Sequence, residues 1–79
     1  MTAYKLSKGD RVQGVYYGNR FSGIVRETRF HSCRHDLLEV KVDLDSPITV
    51  YGDPRNSVIV SCDGETGQEV KGWEGSYLI

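Results

Sequence analysis

Between Gly9 and Arg29 the chain runs through one apolar and polar alternation, meets Gly18-Asn19, and starts a second alternation at once. Few folds accept that order of signals. Val12, Gly14 and Tyr16 alternate with Arg11, Gln13 and Tyr17, and a period of two puts the two sets on opposite faces of a strand. Gly18 and Asn19 both accept the positive φ of a tight reversal, so the chain from Phe21 onward is expected to return antiparallel. Gly14 and Gly23 fall inside the two runs, where glycine marks a bulge or a sharp curl. A hairpin that curls is the opening of a small β-barrel. The same glycines do not make a phosphate loop, because the Gly-Lys-Ser/Thr that would hold phosphate and metal is missing.

The rest of the chain continues in short strands. Ile24-Val25 extends the second one, and residues 27 to 36, ETRFHSCRHD, are polar enough for a long loop or a strand extension. Val40, Val42 and Leu44 alternate with Glu39, Lys41 and Asp43, which predicts a third strand from Leu37 to Leu44. Asp45-Ser46-Pro47 is expected to end it, since proline gives no N–H to a ladder. Ile48 to Tyr51 is expected as a short fourth strand, Gly52 to Ser57 as a turn, and Val58 to Val60 as a further strand. Asp63-Gly64 marks another reversal, with closing strand material at Glu69 to Trp73 and Tyr77 to Ile79. No segment carries both the caps and the period of a helix. The expected class is all-β, a five- or six-stranded antiparallel barrel with little or no helix.

At 79 residues the chain is expected to be one domain, residues 1–79, and a domain of that size buries only about 60% of its unfolded surface. No apolar run approaches a membrane span, and Met1 to Lys5 lacks the apolar stretch of a signal peptide, so a soluble, cytoplasmic protein is expected. Cys33 and Cys62 are then expected to be reduced and packed as small hydrophobes, a single disulfide being the alternative. The net charge of −1 conceals an uneven distribution. Residues 1–35 set seven cations against Asp10 and Glu27, a balance of +5, and residues 36–79 set three cations against nine carboxylates, a balance of −6. Either the first half faces an anionic partner, or the halves interleave in one barrel and pair across strands.

Lys8-Gly9-Asp10-Arg11-Val12, then Gly23-Ile24-Val25, then Leu38-Glu39-Val40-Lys41-Val42 resemble the first three strands of SH3-like small barrels. That group includes KOW, Tudor-like and RNA-polymerase-interaction domains of transcription factors. The likeness covers roughly the first 45 residues and implies a fold; many unrelated functions share it.

His31-Ser32-Cys33-Arg34-His35 is the sharpest local feature. In an extended strand His31, Cys33 and His35 would project to one side, and Cys62 would complete a zinc set, although the spacing is not a common zinc pattern. A Cys–His nucleophilic pair is the catalytic alternative, but no oxyanion-hole motif accompanies it. Asp43-Leu44-Asp45 lacks the further ligands of a calcium loop. No catalytic residue and no cofactor are expected. A cationic, solvated loop is the plainer account of these residues.

Arginine on phosphates and aromatics under bases is the physical recipe for nucleic-acid binding. Arg20, Arg26, Arg29 and Arg34 supply the first, with Tyr17 and Phe30 as stacking residues, in or beside one hairpin. An overall pI near 6.1 confines any such site to one face. The expected function is therefore a non-enzymatic binding module for nucleic acid or a nucleic-acid-associated complex. The alternative is a protein-interaction module or inhibitor, of the kind phages and plasmids encode, using the acidic face at Glu39 and Asp43 and the ring of Trp73. Trp73 is otherwise expected to plug the core. Self-association through leftover strand edges also stays open.

Overall fold

Apolar alternation carries directly into the strands of the protein. The structure, a computed structural model, describes residues 6–34 and 36–79. Within them five antiparallel strands form one curled sheet, a half-barrel, with no helix among the described residues. The strands are β1 (Arg11–Tyr16), β2 (Asn19–Phe30), β3 (Leu37–Val50), β4 (Asp53–Asp63) and β5 (Ser76–Leu78). Their order across the sheet is β4-β3-β2-β1-β5, so the first four make a meander and β5 returns to the far side of β1. Among the described residues no helix is long and apolar enough to cross a membrane.

The concave face holds the core. Register pairs Val25 with Val42 and Val40 with Val60, all at 1% exposure or less, and Leu78 of β5 joins the same cluster. Two glycines let the strands approach that closely. A Cβ at Gly23 would run into the backbone oxygen of Asp43 and the side chain of Val42, and one at Gly14 into the oxygen of Tyr77 and the ring of Phe21. The two edges of the sheet meet through isolated bonds instead of a ladder. The Ser61 N–H of β4 donates to Ser76 Oγ of β5 at 3.2 Å, and at the end of β4 the Asp63 N–H donates to the oxygen of Gln68, in the loop that leads to β5, at 2.8 Å.

Several boundaries differ from the sequence expectation. The first reversal is Tyr17-Gly18, and Asn19 already pairs with Tyr16 as the first residue of β2. Ile48 to Val50 is not a separate strand but the end of β3, and Asp45-Ser46-Pro47 bulges out of it where pairing with β4 steps from Asp43–Ser57 to Ile48–Arg55. Pairing with β2 stops at Leu44, opposite Gly23, so the N–H that Pro47 lacks falls where β2 offers no ladder. The turn expected over Gly52 to Ser57 shrinks to Tyr51-Gly52, and Asp53 opens β4. Glu69 to Trp73 is loop and turn, leaving Ser76–Leu78 as the closing strand. Asp63-Gly64 does reverse the chain, with Asp63 Oδ1 accepting the N–H groups of Glu65 and Thr66 at 2.7 and 3.1 Å.

Candidate binding surface

Antiparallel pairing of β2 with β3 lays the basic half of the sequence against the acidic half. Arg29 lies opposite Glu39 and its Nε donates to Glu39 Oε1 at 2.9 Å. Arg26 is the extra residue of a bulge between Val25 and Glu27, and its Nε sits 3.5 Å from Asp43 Oδ2. Arg11 pairs with Asp45, which also accepts the Ser22 hydroxyl at 3.0 Å, and the two bonds hold the Asp45 carboxyl below its ordinary range. Arg34 grips Asp36 with Nε and Nη2 at 3.1 and 2.7 Å, a bidentate bond that raises the guanidinium above its ordinary value. Interleaving thus absorbs much of the charge asymmetry. Exposed pairs of this kind contribute little and exchange readily.

The proposed phosphate-contacting arginines divide into two groups. Arg20, Arg26 and Arg29 are exposed along β2, whereas Arg34 lies in the loop beyond it. Arg20 has no ion pair among the described residues and lines a shallow recess of about 450 Å³ with Gln13, Phe21, Pro47 and Ile48. The Arg34 guanidinium instead lies over the Trp73 ring, 5.2 Å from its centroid, and His31 meets the same ring edge-on at 5.8 Å. Trp73 is therefore no core plug. It is half-buried on a turn outside the sheet, where its ring ties the last loop to the β2–β3 connection. Phe30 is 53% exposed, with its ring edge against Gly64. Glu39 and Asp43 belong to the outer face, where Glu27, Arg29, Glu39 and Lys41 surround the exposed Ile59.

Two residues stand out by backbone conformation. Tyr17 and Tyr51 have φ of 47° and 49°, each followed by a glycine at 83° or 84°, and each pair is the whole two-residue loop of a hairpin. Positive φ at both positions is the type I′ turn, which asparagine or glycine normally opens. A tyrosine there costs about 1 kcal/mol. The two rings meet at a centroid distance of 6.1 Å, tilted by 49°, and Tyr16 adds an edge contact to Tyr17 at 4.7 Å. Tyr17 is 48% exposed and covers Gly75, while Tyr51 is 89% exposed. Sequence reasoning passed over Tyr51 and Arg55; the signal was the repeated Tyr-Gly before a polar residue, at Tyr17-Gly18-Asn19 and Tyr51-Gly52-Asp53.

The zinc geometry loses its premise. Residues 31 to 34 form a turn closed by the Arg34 N–H on the His31 oxygen, not an extended strand, and His31 Nδ1 accepts the Cys33 N–H at 3.0 Å. Cys62 is fully buried in the core on β4, and Cys33 is exposed. His35 lies outside the described residues; among those described, no three His, Cys, Asp or Glu side chains gather as metal ligands would. No family model matches the chain, and neither a curated protein nor a solved structure matches it.

Proposed function

We propose that this protein is a non-enzymatic SH3-like binding module that engages nucleic acid, or a nucleic-acid-associated complex, through β2 and the turn before it. Topology supports the SH3-like part: a four-stranded meander curls over its core, and a fifth strand returns beside the first after the loop of residues 64–75. The binding part is carried by one observation. Arg20, Arg26 and Arg29 stand exposed along a single strand that Tyr17 precedes and Phe30 ends.

The ion pairs on this strand do not use up its cations. Arg29 is 77% exposed as a side chain and hydrogen-bonds Glu39 through Nε alone, and Arg20 is unpaired among the described residues. A polyanion that brings several phosphates together displaces such weak partners and releases its own counterions. The test is retention on immobilised single-stranded and duplex DNA and RNA across a salt series, with Arg26→Ala/Arg29→Ala beside the native chain. Elution of the native protein should come at higher salt, and its slope of log affinity on log salt should exceed the variant's by about 1.5. Equal elution of the two proteins would remove these arginines from the site. No retention even at low salt would leave the second reading, a protein-interaction module or inhibitor. The exposed Ile59, ringed by charge on the outer face of β3 and β4, favours that one.

A further inference from the structure

We infer that the nucleic acid this surface takes is single-stranded, with a base stacked on the tyrosine pair at the two hairpin tips. The inference rests on the nucleic-acid reading above and narrows it to one strand state and one pair of rings.

Stability gives no reason for the arrangement. Both hairpins open their turns with a residue that the left-handed conformation disfavours, where asparagine would fit without strain. Tyr17 recovers some of that cost by covering Gly75. Tyr51 does not: it is 89% exposed, and among the described residues its one ring–ring contact is with Tyr17. A strained backbone that holds an aromatic ring out in solvent presents the ring face to something else.

Charge near the tips indicates what that is. Arg20 follows the first turn on β2 and Arg55 follows the second on β4, and neither has an ion pair among the described residues. Their surroundings connect, because Ile48, the register partner of Arg55, lines the same recess as Arg20. Elsewhere on the outer face Arg11, Arg26 and Arg29 each have a carboxylate. Flat rings flanked by unpaired guanidiniums match a chain of bases and phosphates. In a duplex the base faces are stacked on one another, so rings at a protruding tip reach them only in a single strand.

The experiment measures binding of a labelled oligothymidine, and of a duplex of equal length, to the native protein and to Tyr51→Asn and Tyr51→Phe, with a melting temperature for each. Native protein should prefer the single strand. Tyr51→Asn should bind it about tenfold more weakly, with an unchanged salt slope and a melting temperature equal to or above the native one, and Tyr51→Phe should bind as the native chain does. Native affinity in Tyr51→Asn, or a preference for duplex, would overturn the inference and leave the nucleic-acid reading standing. A lower melting temperature in Tyr51→Asn would show that the ring serves the fold, and would overturn it too. Failure of native protein to bind either strand state at low salt would overturn both.

Discussion

The thiol of Cys62 is enclosed by the core on β4, where burial pushes it up to about 11 and the neighbouring Asp63 adds to the shift. Cys33 lies in an exposed turn. At pH 8 a thiol reagent should therefore label one cysteine in the folded protein and both after denaturation, with Cys33→Ser abolishing the fast phase. The same burial makes stability fall in alkali. Between the ordinary thiol range near 8.5 and about 11, the unfolded chain has released a proton that the folded chain still holds, so the folded state binds more protons and loses ground as pH rises. Urea midpoints at pH 8 and 10.5 should show that fall, reduced in Cys62→Ala. Residue chemistry also marks where the sequence was hard to read. Glycine and asparagine signal reversals, so Gly18-Asn19 is the natural reading, but the turn starts one residue earlier, on a tyrosine that intrinsic preference argues against.

The elements were legible wherever a period of two persisted. β1, the first half of β2 and the start of β3 follow their alternation, and Val58 to Val60 is the middle of β4. What was not legible was irregularity that tertiary pairing permits. The bulge at Arg26 moves the inward set of β2 from Val25 to Thr28, and the excursion at Asp45-Ser46-Pro47 leaves β3 continuous on both sides of a proline. Local signals record the breaker; they do not record that β2 has stopped pairing there. Gly23 lies between these two irregularities, opposite Leu44, and fixes how closely β2 and β3 coil. Gly23→Ala should cost about 2–4 kcal/mol, because the methyl meets backbone that cannot move without opening the sheet. Denaturant unfolding checks this, and a loss below about 0.5 kcal/mol would show that the strands have room to spread.

Across the whole molecule, opposite charge in the two halves turned out to describe neighbours. The sequence shows the imbalance, and only the register of β2 on β3 shows that Arg29 meets Glu39, while Arg20 meets no carboxylate among the described residues. Closure of the half-barrel depends on very little chain. β5 contributes three residues, and Leu78, 4% exposed, brings the core its only side chain from that strand. Leu78→Ala should lose about 2–4 kcal/mol, a large share of the 4–12 kcal/mol expected for a domain of this size, as measured by thermal or urea unfolding. Pairing of β5 with β1 also governs when the protein becomes itself. Gly14 waits for Leu78, so a ribosome must have reached residue 78 before the first strand has both neighbours. Until then β2, β3 and β4 can assemble locally while β1 shows a bare edge. The nascent chain carries that open edge from the moment β2 pairs with β1 until residue 78 is made.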